Sequence, residues 1–332
     1  MNLNIKKYKY IICQAIVLSF GIQNLSAQNT VNKTADFVQS IGTSDVTFEM
    51  VKIPGSVYQM GTSNGSYNDA PLHTVQVDSL WVGKYEVTWE LFELFLSENN
   101  ILPDSFPQDK IKKADAITRP SPPFEDPAFG MGKNGYPVVS ISPYAALTFC
   151  KWLSTVTGRL YRLPTEAEWE YMCKAGESNS VFTDKPSQTS QLGNYAWSYE
   201  NSNDSYAKVG QKLPNAFGLF DILGNVAEWT LDQYDEDFYN NQKDTIAINP
   251  WNMPTRLHPR VFRGGSWDDD AKDLTCTLRS KSGFYLQKND PQIPKSFWWY
   301  TDSPFIGFRL VSPVKQPDEK EAKKFWQLVL DE

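Results

Sequence analysis

The chain has 332 residues, of which 41% are hydrophobic and 21% are charged, and its formal net charge is −7. This composition is typical of a globular protein and excludes a disordered one, and the dispersed acids argue against a nucleic-acid partner. The one strongly apolar stretch lies in the first 27 residues and is too short to span a bilayer with ease, so the mature chain is expected to lack a transmembrane segment.

The first 27 residues have the pattern of a secretory signal peptide. Three lysines precede an apolar stretch at 10–22, and Ala27 offers a small residue at the cleavage point. Cys13 raises the alternative of a lipoprotein, but the two isoleucines before it differ from the small residue of a normal lipobox. We therefore predict a periplasmic or secreted protein that begins near Gln28 without a lipid.

Strand patterns follow this leader. Residues 28–45 are polar and are predicted to form a flexible lead-in. Apolar and polar residues then alternate over 46–61, with a break at Pro54 and Gly55 that predicts a β-hairpin, and the alternation over 73–88 predicts a further strand pair.

Helices are predicted from their starting residues. Thr88 is a suitable N-cap for a helix over 89–99, and Ser142 followed by proline begins a helix that continues through Ser154. The tail at 315–332 is predicted to be an amphipathic helix that packs back on the domain.

The string RLPTEAEWEY predicts a third helix. Thr165 and Glu168 have the spacing of a capping box, and Gly176 is expected to end the helix. Glu166, Glu168 and Glu170 suggest paired carboxylates for catalysis, but capping and solvation explain them more simply.

The string GLFDILGNVAEWT at 218–230 predicts a cation site. A chain that is extended and kinked at Gly224 can direct two carboxylates and two carbonyl oxygens at one point, and such oxygens suit Ca²⁺. The alternative is a turn with solvated acids. The four residues concerned are Asp221, Gly224, Val226 and Glu228.

Four strings in this order, RLPTEAEWEY, GLFDILGNVAEWT, FRGGSW and GFRLV, resemble the formylglycine-generating-enzyme family, also called sulfatase-modifying factors. The resemblance extends from about Met50 to Val311. It implies an α+β, C-type-lectin-like fold with little regular secondary structure and long loops organised by calcium. The chain then divides into a signal peptide at 1–27, a lead-in at 28–45, a family domain at 46–314 and a helical tail at 315–332.

The resemblance also implies two structural calcium sites. At the first, the family's pattern falls on the four residues named above. At the second, it falls on Asn194, Tyr195, Asp204 and Tyr206.

Family members that oxidise a substrate cysteine, in peptides with the motif Cys-x-Pro-x-Arg, use two cysteines after the GGS string. Their thiolates bind Cu(I) and handle oxygen. The matching positions here are Asp269 and Ala271, which argues against copper and predicts a pseudoenzyme. We therefore expect a non-catalytic binding or accessory module for a protein, peptide or glycan. The alternative is an active formylglycine-generating or related oxidase, with a different residue set, that acts on a protein or a small molecule.

The resemblance further implies a disulfide between Cys173 and Cys276, with Cys150 left as a buried thiol. Three free buried cysteines are the alternative. The aromatic cluster at 297–300 is interpreted as core, and stacking on a ligand is its alternative.

Overall fold

The computed structural model describes residues 36–63, 68–97, 123, 125–176 and 189–330, and these residues belong to one compact unit. The predicted signal peptide and Cys13 lie outside them. Among the described residues, no helix has both the length and the apolar composition needed to cross a membrane.

The described strands form three short sheets. In spatial order, the first contains β1 (Phe37–Ser40), β2 (Thr47–Ile53), β5 (Leu80–Gly83) and β11 (Val311–Pro313), all antiparallel. The second contains β10 (Ile306–Gly307), β6 (Ala227–Gln233), β8 (Arg260–Arg263) and β9 (Ser280–Lys281), and its β10–β6 pair is parallel. The third contains β3 (Ser56–Met60), β4 (His73–Val77) and β7 (Ala247–Ile248).

The α-helices of the described part are α1 (Trp89–Leu96), α2 (Pro143–Thr157), α3 (Glu166–Lys174), α4 (Thr189–Leu192) and α5 (Glu319–Leu330). Short sheets, few helices and long connections make this an α+β fold, as the sequence predicts.

The predicted strands are present, but the predicted hairpin at Pro54 and Gly55 is wrong, and the two strands within 73–88 lie in different sheets. Strand β2 pairs with β5, and β3 pairs with β4. Pro54 and Gly55 form a bend that carries the chain from the first sheet to the third. A Cβ atom on Gly55 would lie 2.7 Å from the carbonyl oxygen of Val77, so the bend passes too close to β4 for any side chain.

All three predicted helix starts are confirmed, and two of them have the expected capping hydrogen bonds. The Ser142 hydroxyl accepts the amide of Ala145 (3.0 Å). Thr165 and Glu168 form the reciprocal capping box, at 3.2 and 2.8 Å. Thr88 precedes α1, but its side chain forms no capping hydrogen bond, so that detail of the prediction is wrong.

The described part of the lead-in, 36–45, contains a paired strand, which the prediction of a flexible segment did not include. It contains β1, which pairs with β2, and the Phe37 ring packs edge-on against Trp81 with 4.8 Å between centroids. Ile41 is fully buried. A few apolar residues within a polar segment therefore suffice to extend the first sheet.

The tail packs back on the domain as predicted. Trp326 and Leu330 on α5 are buried, and the Phe325 ring contacts Trp251.

The predicted disulfide is confirmed. Cys173, in α3, is bonded to Cys276, 103 residues further along the chain. Cys150 is a buried free thiol. In the aromatic cluster at 297–300, three members are buried as interpreted, but Phe297 is exposed.

Candidate functional site

The segment Gly218–Thr230 bends before it enters β6. Asp221 and Gly224 both have positive φ, of 51° and 72°. A Cβ atom at Gly224 would lie 2.0 Å from the carbonyl oxygen of Trp197, so this close approach requires glycine. The bend expected at Gly224 is therefore present.

Glu228, on β6, is buried and bound by two donors. Its Oε1 lies 2.8 Å from Nη2 of Arg309, and Nε of the same guanidinium lies within 3.2 Å of both carboxylate oxygens. The indole Nε1 of Trp169 donates to Oε2 at 2.8 Å. A carboxylate predicted to bind a metal is thus also the partner of a buried arginine.

Asp221 and Glu86 lie near this pair and are only partly satisfied. Asp221 Oδ2 accepts the amide of Gly210 (2.6 Å), and Glu86 Oε1 accepts the side-chain amide of Asn225 (3.1 Å). Their other oxygens, Asp221 Oδ1 and Glu86 Oε2, are buried and accept no hydrogen bond within the described residues. Sequence reasoning missed Glu86, although an acid between Tyr85 and Val87 in an apolar strand pattern was a usable signal.

Glu86, Asp221, Glu228 and Arg309 form what we call the buried carboxylate cluster. With all three carboxylates and the guanidinium ionised, the cluster has a net charge of two negative charges. Burial raises the pKa of Asp221 to about 6. Burial, followed by the Asp221 charge, also raises the pKa of Glu86 well above its usual value. The next cation in reach is Lys212, whose ammonium donates to the Gly193 carbonyl.

Two oxygens of this cluster, Asp221 Oδ1 and Glu86 Oε2, are of the type that a hard divalent cation binds. Carboxylate oxygens without hydrogen-bond donors are the ligands that Ca²⁺ prefers, and excess buried negative charge favours it. Among the described residues, no three Asp, Glu, His or Cys side chains converge closely enough to hold a metal by themselves. A calcium ion here would therefore need the carbonyl oxygens that the sequence prediction assigned, those of Gly224 and Val226.

The second predicted calcium set lies in the loop after α4. Asn194 and Asp204 are exposed, whereas Tyr206 is buried and its hydroxyl donates to the carbonyls of Ala128 and Gly132. Asp204 forms no ion pair within the described residues. Burial, followed by the charges of Asp269 and Asp204, raises the pKa of Asp268, so acids gather near this loop.

The glutamates of α3 are not solvated, contrary to the sequence interpretation. Arg263 bonds Glu170 at 2.6 Å and Glu166 at 3.2 Å, and Arg279 bonds Glu166 at 2.7 Å. All four side chains are at most 1% exposed. Glu168 caps α3 as predicted and also pairs with Arg162. These glutamates hold β8 and the Cys276 segment against α3.

The turn after β8 holds Asp269 and Ala271 in place. Asp269 Oδ2 accepts both the amide and the hydroxyl of Ser266, each at 2.8 Å. The amide of Ala271 donates to the Glu200 carboxylate at 3.0 Å. Neither position presents a soft ligand.

A family profile identifies the chain. The profile of the sulfatase-modifying factor enzyme 1-like domain matches residues 39–313. The chain belongs to the sulfatase-modifying factor family. The match includes the bent segment with its carboxylate cluster, the GGS turn and β11.

Two relatives and one solved structure are similar to this chain. A protein named serine/threonine-protein kinase pkn1, from Chlamydia pneumoniae, is 30% identical over 70% of this chain and 35% of its own length. The formylglycine-generating enzyme of Mus musculus is 29% identical over 66% of each protein. A solved structure, Treponema denticola variable protein 1, has a TM-score of 0.60 and 26% identity, and the match covers 84% of this chain and 99% of that one. The chain spans only 35% and 66% of the first two proteins, so each name describes that protein alone.

Proposed function

We propose that this member of the sulfatase-modifying factor family is a non-catalytic binding or accessory module that acts outside the cytoplasm. The observation that carries the proposal is that Asp269 and Ala271 stand where the family's oxidases have copper-binding cysteines. Among the described residues, the cysteines are a bridged pair and buried Cys150, whose thiol pKa is raised by burial. The described residues therefore offer no accessible thiolate pair to Cu(I).

Copper content and oxygen uptake test this proposal. We expect no stoichiometric copper after exposure to Cu(I), and no oxygen uptake that depends on a Cys-x-Pro-x-Arg peptide. The matched control is the double variant Asp269→Cys/Ala271→Cys, which places a thiol at both positions and should gain copper. Stoichiometric copper with peptide-dependent oxygen uptake in the wild type would instead support the alternative, an active oxidase with a different residue set.

An extracytoplasmic location is part of the proposal. The Cys173–Cys276 bridge supports it, because disulfides persist in oxidising compartments. The signal-peptide pattern at 1–27 agrees. Mass spectrometry of the mature chain should find a start near Gln28. A diacylglyceryl group on Cys13 would show that the protein is a lipoprotein and does not begin near Gln28. An unprocessed chain in the cytoplasm would refute the extracytoplasmic location.

We also propose structural calcium. At the first site the ion would be held by Asp221, Glu228 and the carbonyls of Gly224 and Val226. It would offset the excess negative charge of the buried carboxylate cluster and stabilise the bend. A second ion is proposed at Asn194, Tyr195, Asp204 and Tyr206. Metal analysis of protein purified without chelator should find calcium.

A further inference from the structure

The segment between Gly283 and Trp299 carries large apolar side chains into solvent. Trp298 and Trp299 are buried, but four side chains before them are mostly exposed. They are Phe284 (79% exposed), Tyr285 (53%), Ile293 (97%) and Phe297 (70%). Clusters of exposed apolar residues mark interaction surfaces on soluble proteins.

Hydrogen bonds hold this segment in one conformation. The buried side chain of Gln287 donates to the carbonyl of Trp299 at 2.8 Å, and this hydrogen bond joins the early part of the segment to its end. Buried Asp290 accepts the amides of Gln292 (2.9 Å) and Ser296 (3.0 Å). The apolar side chains therefore project from an ordered loop, and a ligand would meet a preorganised surface with little entropy left to lose.

The exposed charge on this segment is positive, although the whole chain has a net charge of −7. Lys288 and Lys295 are exposed, and neither forms an ion pair within the described residues. The Lys295 ammonium donates to the carbonyls of Lys288 and Asp290 and keeps its positive charge at the surface of the loop. The one acid between them, Asp290, is 4% exposed and bonded inward. A partner that carries negative charge is thus complementary to this surface.

We propose that this aromatic–lysine face binds an acidic segment of a partner protein. The face consists of Phe284, Tyr285, Ile293, Phe297, Lys288 and Lys295. Carboxylates of the partner pair with the lysines, and its apolar side chains pack on the rings and on Ile293. The proposal rests on the proposed function as a binding module and names the class of its partner.

The side chains of the face favour a protein over a glycan. Phe284, Ile293 and Phe297 have no polar side-chain atoms, so they offer none of the hydrogen bonds that sugar hydroxyls need on leaving water. Apolar anchors of this kind are instead the residues that dominate protein–protein contacts.

A displayed library of random 12-residue peptides tests the face on the full mature chain. We expect the wild type to enrich peptides that combine Asp or Glu with apolar residues. These should bind the variant Phe284→Ser/Ile293→Ser/Phe297→Ser at least tenfold more weakly. Lys288→Glu/Lys295→Glu should weaken them to a similar extent. The matched control, Leu213→Ser/Ile246→Ser, removes two apolar side chains that are 53% and 55% exposed elsewhere, and should bind like the wild type.

Several results would overturn the proposal. The first is enrichment of peptides without acids, or of peptides that bind the triple-serine variant equally well. Others are face-dependent binding of heparin or of vesicles with anionic lipid when no peptide binds, or a dimer that the triple-serine variant loses. Thermal unfolding and mapping of the Cys173–Cys276 bridge confirm that each variant is folded. Oxidase activity would refute the proposed function, but it would leave face-dependent peptide binding intact, so the two failures are distinguishable.

Discussion

The guanidinium of Arg309 forms a buried ion pair with the carboxylate of Glu228, in which Nη2 lies 2.8 Å from Oε1. Neither side chain is more than 1% exposed. Arg309 lies between β10 and β11 and Glu228 lies on β6, so this pair joins the C-terminal strands to the bent segment. Arg309 also donates to the carbonyls of Gly83 and Phe220. One arginine thus connects the first and second sheets at the buried carboxylate cluster.

Glu228→Gln should destabilise the protein by about 3–5 kcal/mol, because it breaks a buried ion pair and replaces the charged acceptor of the Arg309 guanidinium by a neutral amide. The amide keeps the shape of the side chain and can still accept the indole of Trp169. Denaturant unfolding measures the change in the free energy of unfolding. The control is Glu236→Gln, in an exposed pair with Lys281, which should cost about 1 kcal/mol or less. Equal costs would show that burial does not decide the strength of these pairs.

The raised pKa of Asp232, a buried residue on β6, predicts that the free energy of unfolding falls as pH rises. Burial, followed by the charge of Glu166, raises the pKa of Asp232 from 3.8 to about 8. The folded state therefore binds this proton more tightly than the unfolded state does. Its stabilising effect is complete below about pH 4 and is lost as pH rises through 8.

The slope of unfolding free energy against pH, between pH 4 and 8, tests this prediction. Asp232→Asn should flatten the slope, whatever its effect on absolute stability. Exposed Asp244→Asn is the control and should leave the slope unchanged. An identical slope in wild type and Asp232→Asn would contradict the raised pKa.

The disulfide should contribute stability mainly by closing a long loop. For a separation of 103 residues, the chain-entropy model gives about 4–5 kcal/mol. The variant Cys173→Ala/Cys276→Ala should lose this amount and become insensitive to reductant in denaturant titrations. Cys150→Ala, which removes an unbridged thiol, should keep the wild-type response to reductant. If reductant does not shift the wild-type midpoint, the bridge adds no stability.

Sequence patterns predicted the features that depend on near neighbours. The capping box at Thr165 and the cap at Ser142 need residues only three apart, and the bend at Gly224 needs a local glycine. The fold itself and the Cys173–Cys276 bridge followed from ordered family strings rather than from local periodicity.

Long-range partners were not predictable in the same way. Alternation of apolar residues indicates that β2 is a strand, but it does not indicate β5 as its neighbour. Glu166 meets Arg279 across 113 residues, and Glu86 meets Asn225 across 139. On the sequence, a glutamate in α3 looks solvated because helix faces are assigned from apolar spacing. Only the positions of the arginines in the fold reveal that Glu166 and Glu170 are buried.

The calcium proposal is tested most sharply at Asp221. Glu228 also neutralises Arg309, so its replacement changes stability with or without calcium. Asp221 has a buried oxygen with no partner in the described residues, and Asp221→Asn removes its charge while the side chain can still accept the amide of Gly210.

Wild-type protein should melt at a higher temperature in calcium than in chelator. An ion that binds only the folded state adds about 2.7 kcal/mol at a hundredfold excess over Kd. Asp221→Asn should gain less from calcium, and Asp244→Asn should gain as much as the wild type. The proposal fails if chelator leaves the wild-type melting temperature unchanged and metal analysis of protein never exposed to chelator finds no calcium. In that case the bend at Gly224 is held by Arg309 and hydrogen bonds alone.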